Sequence, residues 1–264
     1  MGILYLIGLG LCNEKDLTLR GLEILRNKVK EVYIELYTAV PRKLNVDSLK
    51  ELIGKDVKVL RRDAVESNYL LDRAKKTDVA LIVPGDPLIA TTHISLILEA
   101  RKRGIAYRVV HNASVLTAVP GACGLHAYKF GRTTTLPYPY KGHIFESPYD
   151  VIKENLSRGL HTLILLDLDP QKGSSMSVSE GIEILMKIEE RRKEGVIRDD
   201  SILVGLSNIG SDDEIVKAGY PKDLMRYKFP MGMHSIVVVG NLHFTEAEAL
   251  VYLADAPKEI LKNV

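Results

Sequence analysis

The chain has 264 residues, 46% of them hydrophobic, with 36 basic and 34 acidic side chains and a net charge of +2. That length suits two modest domains or one large one, and the near balance of charge argues against a dedicated nucleic-acid binder, which usually shows a strong basic bias. Cys12 and Cys123 form no Cys-x-x-Cys pair, no apolar run nears bilayer-spanning length, and the apolar start lacks a signal peptide's basic region and cleavage site. A cytoplasmic protein with reduced thiols is expected. Gln171 is the only glutamine, Trp is absent and ionic residues are plentiful, a composition that suits a thermophile.

Taken in order, residues 4–8 read as a buried strand running into Gly8-Leu9-Gly10-Leu11. A helix follows, with Asp16 or Thr18 near its cap and Leu17, Leu22, Leu25 and Val29 on one face. A strand at 31–37, a helix at 46–53, a strand at 57–60 and a helix at 69–76 lead to an apolar strand at 79–83. Next come Pro84-Gly85-Asp86-Pro87, a helix at 92–103 with Thr91 or Thr92 as its expected cap, and a strand at 107–110. This alternation predicts a mainly parallel, right-handed sheet with helices on both faces. The pattern pauses at His111-Asn112-Ala113-Ser114, which places a domain junction between 112 and 113. The second half reads as a mixed α+β domain. Its strand-like runs are 132–136, 162–168, 202–206 and 235–239, and its helices fall near 149–158, 178–194, 212–218 and 245–254.

Three strand-to-helix turns, at 8–11, 85–89 and 112–115, should share one sheet edge, where open α/β sheets bind ligands. None contains Lys or Arg, so the crevice suits a nucleoside-like ligand better than a naked phosphate. Gly8-x-Gly10 lacks the third glycine of a dinucleotide fingerprint, and Glu31 or Glu35 stands where the ribose-binding acid would fall. No Walker motif, nucleophile elbow or metal-ligand spacing is present. His93, His111 and His126 are scattered and read as capping or partly buried structural residues. Asp86 sits at the tip of its turn, either closing an Asx turn or reaching a ligand.

Several stretches resemble the diphthine synthase family within the tetrapyrrole methylase superfamily of S-adenosylmethionine-dependent methyltransferases. They are Tyr5-Leu6-Ile7-Gly8-Leu9-Gly10-Leu11, Pro84-Gly85-Asp86-Pro87-Leu88-Ile89-Ala90-Thr91-Thr92-His93 and Asn112-Ala113-Ser114. Gly124-Leu125-His126-Ala127-Tyr128-Lys129-Phe130-Gly131 and Gly159-Leu160-His161-Thr162-Leu163 belong with them. Gly-Asp-Pro is common to the superfamily, whereas Ala-Thr-Thr-His and Tyr-Lys-Phe-Gly mark the narrower family. Tyr37-Thr38-Ala39-Val40 departs from the family's usual Tyr-Thr-Ser and longer segment.

The resemblance implies two α/β domains, 1–112 and 113–264, with S-adenosyl-L-methionine in the cleft between them, and a homodimer. It places cofactor contacts at Leu11, Asp86, Ile89, Ser114 and Val115. In the second half they fall at Leu165, Leu166, Leu206, Ser207, Met233 and His234, many through backbone groups. The implied reaction is methylation of the amino group of the modified histidine on translation elongation factor 2, giving diphthine in diphthamide biosynthesis. No residue stands out as a general base, and no metal is implied. Two other readings remain at this point: a tetrapyrrole or ribosomal-RNA methyltransferase of the same superfamily, or a non-catalytic nucleotide-binding module.

Overall fold

The structure is a computed structural model that describes residues 2–169 and 174–262. The chain divides into two compact units, Met1–Val115 and Leu116–Val264.

The first unit runs β1 (Ile3–Gly8), α1 (Leu19–Asn27), β2 (Glu31–Glu35), α2 (Val46–Ile53), β3 (Val57–Leu60), α3 (Arg62–Val65), α4 (Tyr69–Ala74), β4 (Val79–Val83), α5 (Ile94–Lys102) and β5 (Ala106–Val110). Its five strands are parallel in the order β3-β2-β4-β1-β5. Near-continuous apolar strands such as β4, buried along its whole length, belong in a sheet covered on both faces. Side-chain alternation sorts them. Tyr5, Ile7, Val32, Ile34, Ala80 and Ile82 pack with Leu25 of α1 and with Leu49 and Ile53 of α2. Leu4, Leu6, Tyr33, Leu81 and Val83 pack with Leu70, Leu71 and Ala74 of α4 and with Leu96, Ile97 and Ala100 of α5. Because every strand points the same way, all the strand-to-helix turns lie on one edge.

Local chemistry sets the helix ends. Thr18, not Asp16, caps α1 by accepting from the Gly21 amide at 3.0 Å. Asn45 caps α2, which stops at Gly54 in the left-handed conformation (φ 73°). The threonine cap expected for α5 is absent. His93 occupies the cap position without a side-chain capping bond, while the Thr91 hydroxyl donates back to the Pro87 carbonyl at 2.7 Å and Thr92 donates to Glu66.

After α6 (Val115–Cys123), which carries Pro120 within it, the second unit contains β6 (Thr134–Leu136), α7 (Ser147–Leu156), β7 (Thr162–Leu166) and the short pair β8 (Leu168–Asp169) and β9 (Ser174–Ser175). It continues with α8 (Val178–Arg192), β10 (Leu203–Ser207), β11 (Ile215–Gly219), α9 (Pro221–Arg226), β12 (His234–Val238) and α10 (Phe244–Leu253). The sheet order is β11-β10-β12-β7-β6, antiparallel except for the parallel β6–β7 pair. One face buries Leu136, Ile164, Leu166, Leu203 and Ile236 against Tyr149 and Ile152 of α7, Ile182 and Leu185 of α8, and Leu224 of α9. The helix expected over 212–218 is instead β11. Its adjacent β-branched Ile215 and Val216 pair with β10, Val216 opposite Leu206, so sheet pairing overrides the helix-like acidic start at Asp212-Asp213. No helix among the described residues is long and apolar enough to cross a membrane.

Candidate functional site

The C-terminal ends of β1, β4 and β5 are neighbours in the first unit, and the turns that follow them are laced to one another. Between the first and second turns, Gly10 and Gly85 exchange backbone bonds, Gly10 N to Gly85 O at 3.2 Å and Gly85 N to Gly10 O at 2.7 Å. Both glycines take positive φ (94° and 70°), which a β-carbon resists. Between the first and third, the Asn112 amide donates to the Gly8 and Asp16 carbonyls, each at 3.0 Å. Between the second and third, Asp86 Oδ2 accepts from the Asn112 backbone N–H at 3.2 Å and lies 2.8 Å from His111 Nδ1. Asp86 Oδ1 accepts from Leu88 N at 2.9 Å, closing an Asx turn. The carboxylate is therefore turned inward and buried (5% exposed), where the sequence placed it at the turn's tip.

The remaining residues expected to hold the cofactor in this unit lie on the same turns. Leu11 is half-buried, Ile89 exposed and Ser114 buried, and Val115 is the half-buried first residue of α6. No lysine or arginine intrudes on these stretches. Gly8 is packed too tightly for any side chain, since a β-carbon there would lie 2.6 Å from the Gly85 carbonyl oxygen and 2.7 Å from Asn112 Cβ.

A second bracket holds the β4–α5 turn from the side of β2. The fully buried Glu35 carboxylate accepts from the Tyr37 and Thr38 amides at 2.9 and 3.1 Å and from the Thr38 hydroxyl. That fixes Tyr37, whose hydroxyl lies 3.1 Å from His93 Nε2, while His93 Nδ1 lies 3.1 Å from the Pro87 carbonyl. A carbonyl only accepts, so Nδ1 carries the proton and Nε2 accepts from Tyr37. Burial, with Glu35 and Glu66 nearby, pushes the Tyr37 phenol upward and keeps it a donor. His93 is thus a buried structural residue. Glu31 is spent on Arg73 and Tyr33, so neither acid at the ribose-binding spacing has a free carboxylate.

In the second unit the six expected positions also share one sheet edge. Leu165 and Leu166 end β7, Leu206 and Ser207 end β10, and Met233 and His234 sit at the start of β12. The antiparallel register sets Ser207 opposite His234 and Leu165 opposite Ser235. Local bonds fix this edge: Asn208 N to Met233 O at 2.9 Å, Met233 N to Asn208 Oδ1 at 3.2 Å, and the Ser207 hydroxyl to Pro230 O at 3.2 Å. His234 Nε2 lies 2.8 Å from the Pro230 carbonyl and so donates to it, which leaves Nδ1 as an acceptor. That nitrogen is buried and has no protein partner among the described residues, a condition that a bound hydroxyl or amine donor would relieve.

Polar side chains gather at the other edge of that sheet. Fully buried Glu246 accepts from the His126 and His243 amides at 2.8 Å each, from His161 Nε2 at 3.1 Å and from the Lys129 ammonium. His161 Nδ1 accepts from Gly240 N at 2.9 Å, and burial pushes that imidazole's pKa down despite Glu246. Burial alone would raise the Glu246 carboxyl, but its donors, Lys129 foremost, hold it down at about 2. The stretch 124–131 and the Gly159-Leu160-His161 segment are here tied to helix α10. Sequence reasoning missed Glu246, whose only signal was a carboxylate on the apolar face of a helix. It also missed Asn112 as the tie between two turns.

An open parallel sheet with a glycine-laced edge, followed by a mixed and mostly antiparallel sheet, gives the chain an α/β architecture of two units. The profile of Tetrapyrrole (Corrin/Porphyrin) Methylases matches residues 3–224, and the chain belongs to that family. It is 44% identical over 268 residues to a diphthine synthase of Methanosarcina mazei, covering 99% of this chain and 100% of the relative. It is 42% identical to one of Methanocaldococcus jannaschii, covering 96% and 99%. Among solved structures, a crystal structure of diphthine synthase superposes with a TM-score of 0.89 at 38% identity over 100% of both chains.

Proposed function

We propose that this enzyme transfers methyl groups from S-adenosylmethionine to the amino group of the modified histidine on elongation factor 2, the diphthine-forming step. Full-length similarity to diphthine synthases supports the substrate, and family membership supports methyl transfer. The tetrapyrrole and ribosomal-RNA readings have no such support. The observation that carries the site is the lacing of the three turns after β1, β4 and β5, none of which contains Lys or Arg. They form a rim without Lys or Arg in which Leu11, Ile89, Ser114 and Val115 meet the cofactor. In the second unit Leu165, Leu166, Leu206, Ser207 and Met233 add contacts, and His234 Nδ1 accepts one hydrogen bond.

When bound, the cofactor supplies an activated methyl group on a sulfonium, so the protein's work is alignment and exclusion of water. Asp86 serves that work by fixing the two turns beside the reacting centre, and its carboxylate bonds leave it no part in proton transfer. A homodimer belongs to the same reading, and sedimentation velocity tests it. The cofactor site is tested by thermal unfolding with S-adenosylhomocysteine. At ~100 times its dissociation constant the ligand should stabilise the fold by about 2.7 kcal/mol. No shift at saturation, with a shift from NAD, would replace the methyltransferase site by a dinucleotide one.

A further inference from the structure

An amine attacks a sulfonium methyl only through its lone pair, so an ammonium substrate must first lose a proton, and none of the residues discussed so far takes it. His111 directly follows β5 and opens the connection to α6, three residues before Ser114. Its ring is held from below: Nδ1 lies 2.8 Å from Oδ2 of Asp86, a carboxylate that is itself buried and also accepts from the Leu88 and Asn112 amides. An acceptor carboxylate places the proton on Nδ1 and leaves the lone pair on Nε2. The His111 side chain is 68% exposed, and Nε2 has no bond to the protein among the described residues. A buried carboxylate that orients one ring nitrogen while the other faces outward is the arrangement that general-base histidines use.

We propose that His111 is the general base of the methyl transfer and Asp86 its positioning residue, a proposal that rests on the cofactor site assigned above. Nε2 takes a proton from the substrate ammonium. The freed nitrogen pair forms the N–CH3 bond as the S–CH3 bond breaks, its electron pair staying on sulfur as the thioether. Nε2 then returns its proton to solvent. The other carboxylate on an adjoining turn, Asp16, is directed at the Cys12 and Asn13 amides, so Asp86 is the charged group that His111 meets.

Three measurements on the full chain test this. Calorimetry with S-adenosylhomocysteine should show H111A binding within about threefold of the parent, because the imidazole is not a cofactor contact. Single-turnover methylation of unmethylated, modified elongation factor 2 should slow by about 10²–10⁴-fold in H111A. That residual rate should climb more steeply with pH as solvent deprotonates the amine, and added imidazole should restore part of it. Histidine ¹⁵N spectra of the parent should show Nδ1 protonated and Nε2 bare. An H111A rate equal to the parent's at equal cofactor affinity, or an Nε2–H tautomer, overturns the proposal. A parent that binds no S-adenosylhomocysteine overturns the cofactor site instead, and the proposal with it.

Discussion

The two sheet edges that carry the expected cofactor positions, one in each unit, are built on different principles. In the first unit every strand runs the same way, so the turns after β1, β4 and β5 are side by side and can be sewn together by Asn112, Asp86 and the Gly10–Gly85 bridge. In the second unit the edge gathers two strand ends and one strand start, and the antiparallel register alone brings Ser207 to His234. Its strongest polar cluster, around Glu246, lies at the other edge and serves stability. The parallel sheet concentrates side-chain ties among the turns at one end, whereas the mixed sheet keeps its buried charges at the end away from Ser207 and His234.

The largest test of that division is Glu246→Ala. It leaves the Lys129 ammonium, the buried His161 Nε2 and the His126 and His243 amides without their acceptor, and should cost about 3–5 kcal/mol of stability by chemical denaturation. S-adenosylhomocysteine affinity should stay near parental at a temperature where the variant is folded. A loss of affinity in the folded variant would show that the Glu246 cluster reaches the ligand. The parent carries the same signature in pH. The folded carboxyl is held at about 2, below its ordinary 4.5, so its contribution is full above about pH 4.5 and fades as pH falls toward 2. Denaturation midpoints should drop across that window in the parent and change less in Glu246→Gln.

Next comes Gly10→Val. A β-carbon there would lie 2.5 Å from Asp16 Cβ on a backbone at φ 94°, so it should destabilise the unit by about 3 kcal/mol. The turn glycine thus serves the fold first, and a variant that keeps full stability while losing only ligand affinity would contradict that.

Asp86→Asn is expected to be smaller but sharper. Asn can still accept from Leu88, but its amide N–H2 would meet the Asn112 N–H, costing about 1–3 kcal/mol. Ligand affinity should fall along with stability, because the turns loosen together. Parental stability with affinity lost would mean instead that the carboxylate touches the cofactor. Smallest of all is Ser207→Ala, which removes one 3.2 Å bond to Pro230. It should cost about 1 kcal/mol and leave affinity within about threefold, if the contacts proposed for that edge run through its backbone.

Much of the first unit was legible because each signal was local: apolar strands, turn glycines and the helical period over 92–103. The same holds for the sheet edge on which the three turns meet. The ties between the turns were not legible, because Asn112 reaches Gly8 over about a hundred positions and nothing in its neighbourhood announces the partner. His111 read as structural for the same reason, since its orientation depends on Asp86 in another turn. In the second unit β11 was misread where long-range pairing decided between helix and strand. Leu165, Leu206 and Met233 carry no side-chain signal for the backbone contacts proposed for them. Glu246 looked like an ordinary helix acid until His161 and Lys129 were folded onto it.

The measurement that tests the central claim most directly is mass spectrometry of elongation factor 2 carrying the unmethylated modified histidine, incubated with this chain and S-adenosylmethionine. The expected result is an increment of whole methyl groups on that one residue, abolished when the cofactor is omitted. An unmodified factor, from a chain that binds S-adenosylhomocysteine and is folded, would contradict it.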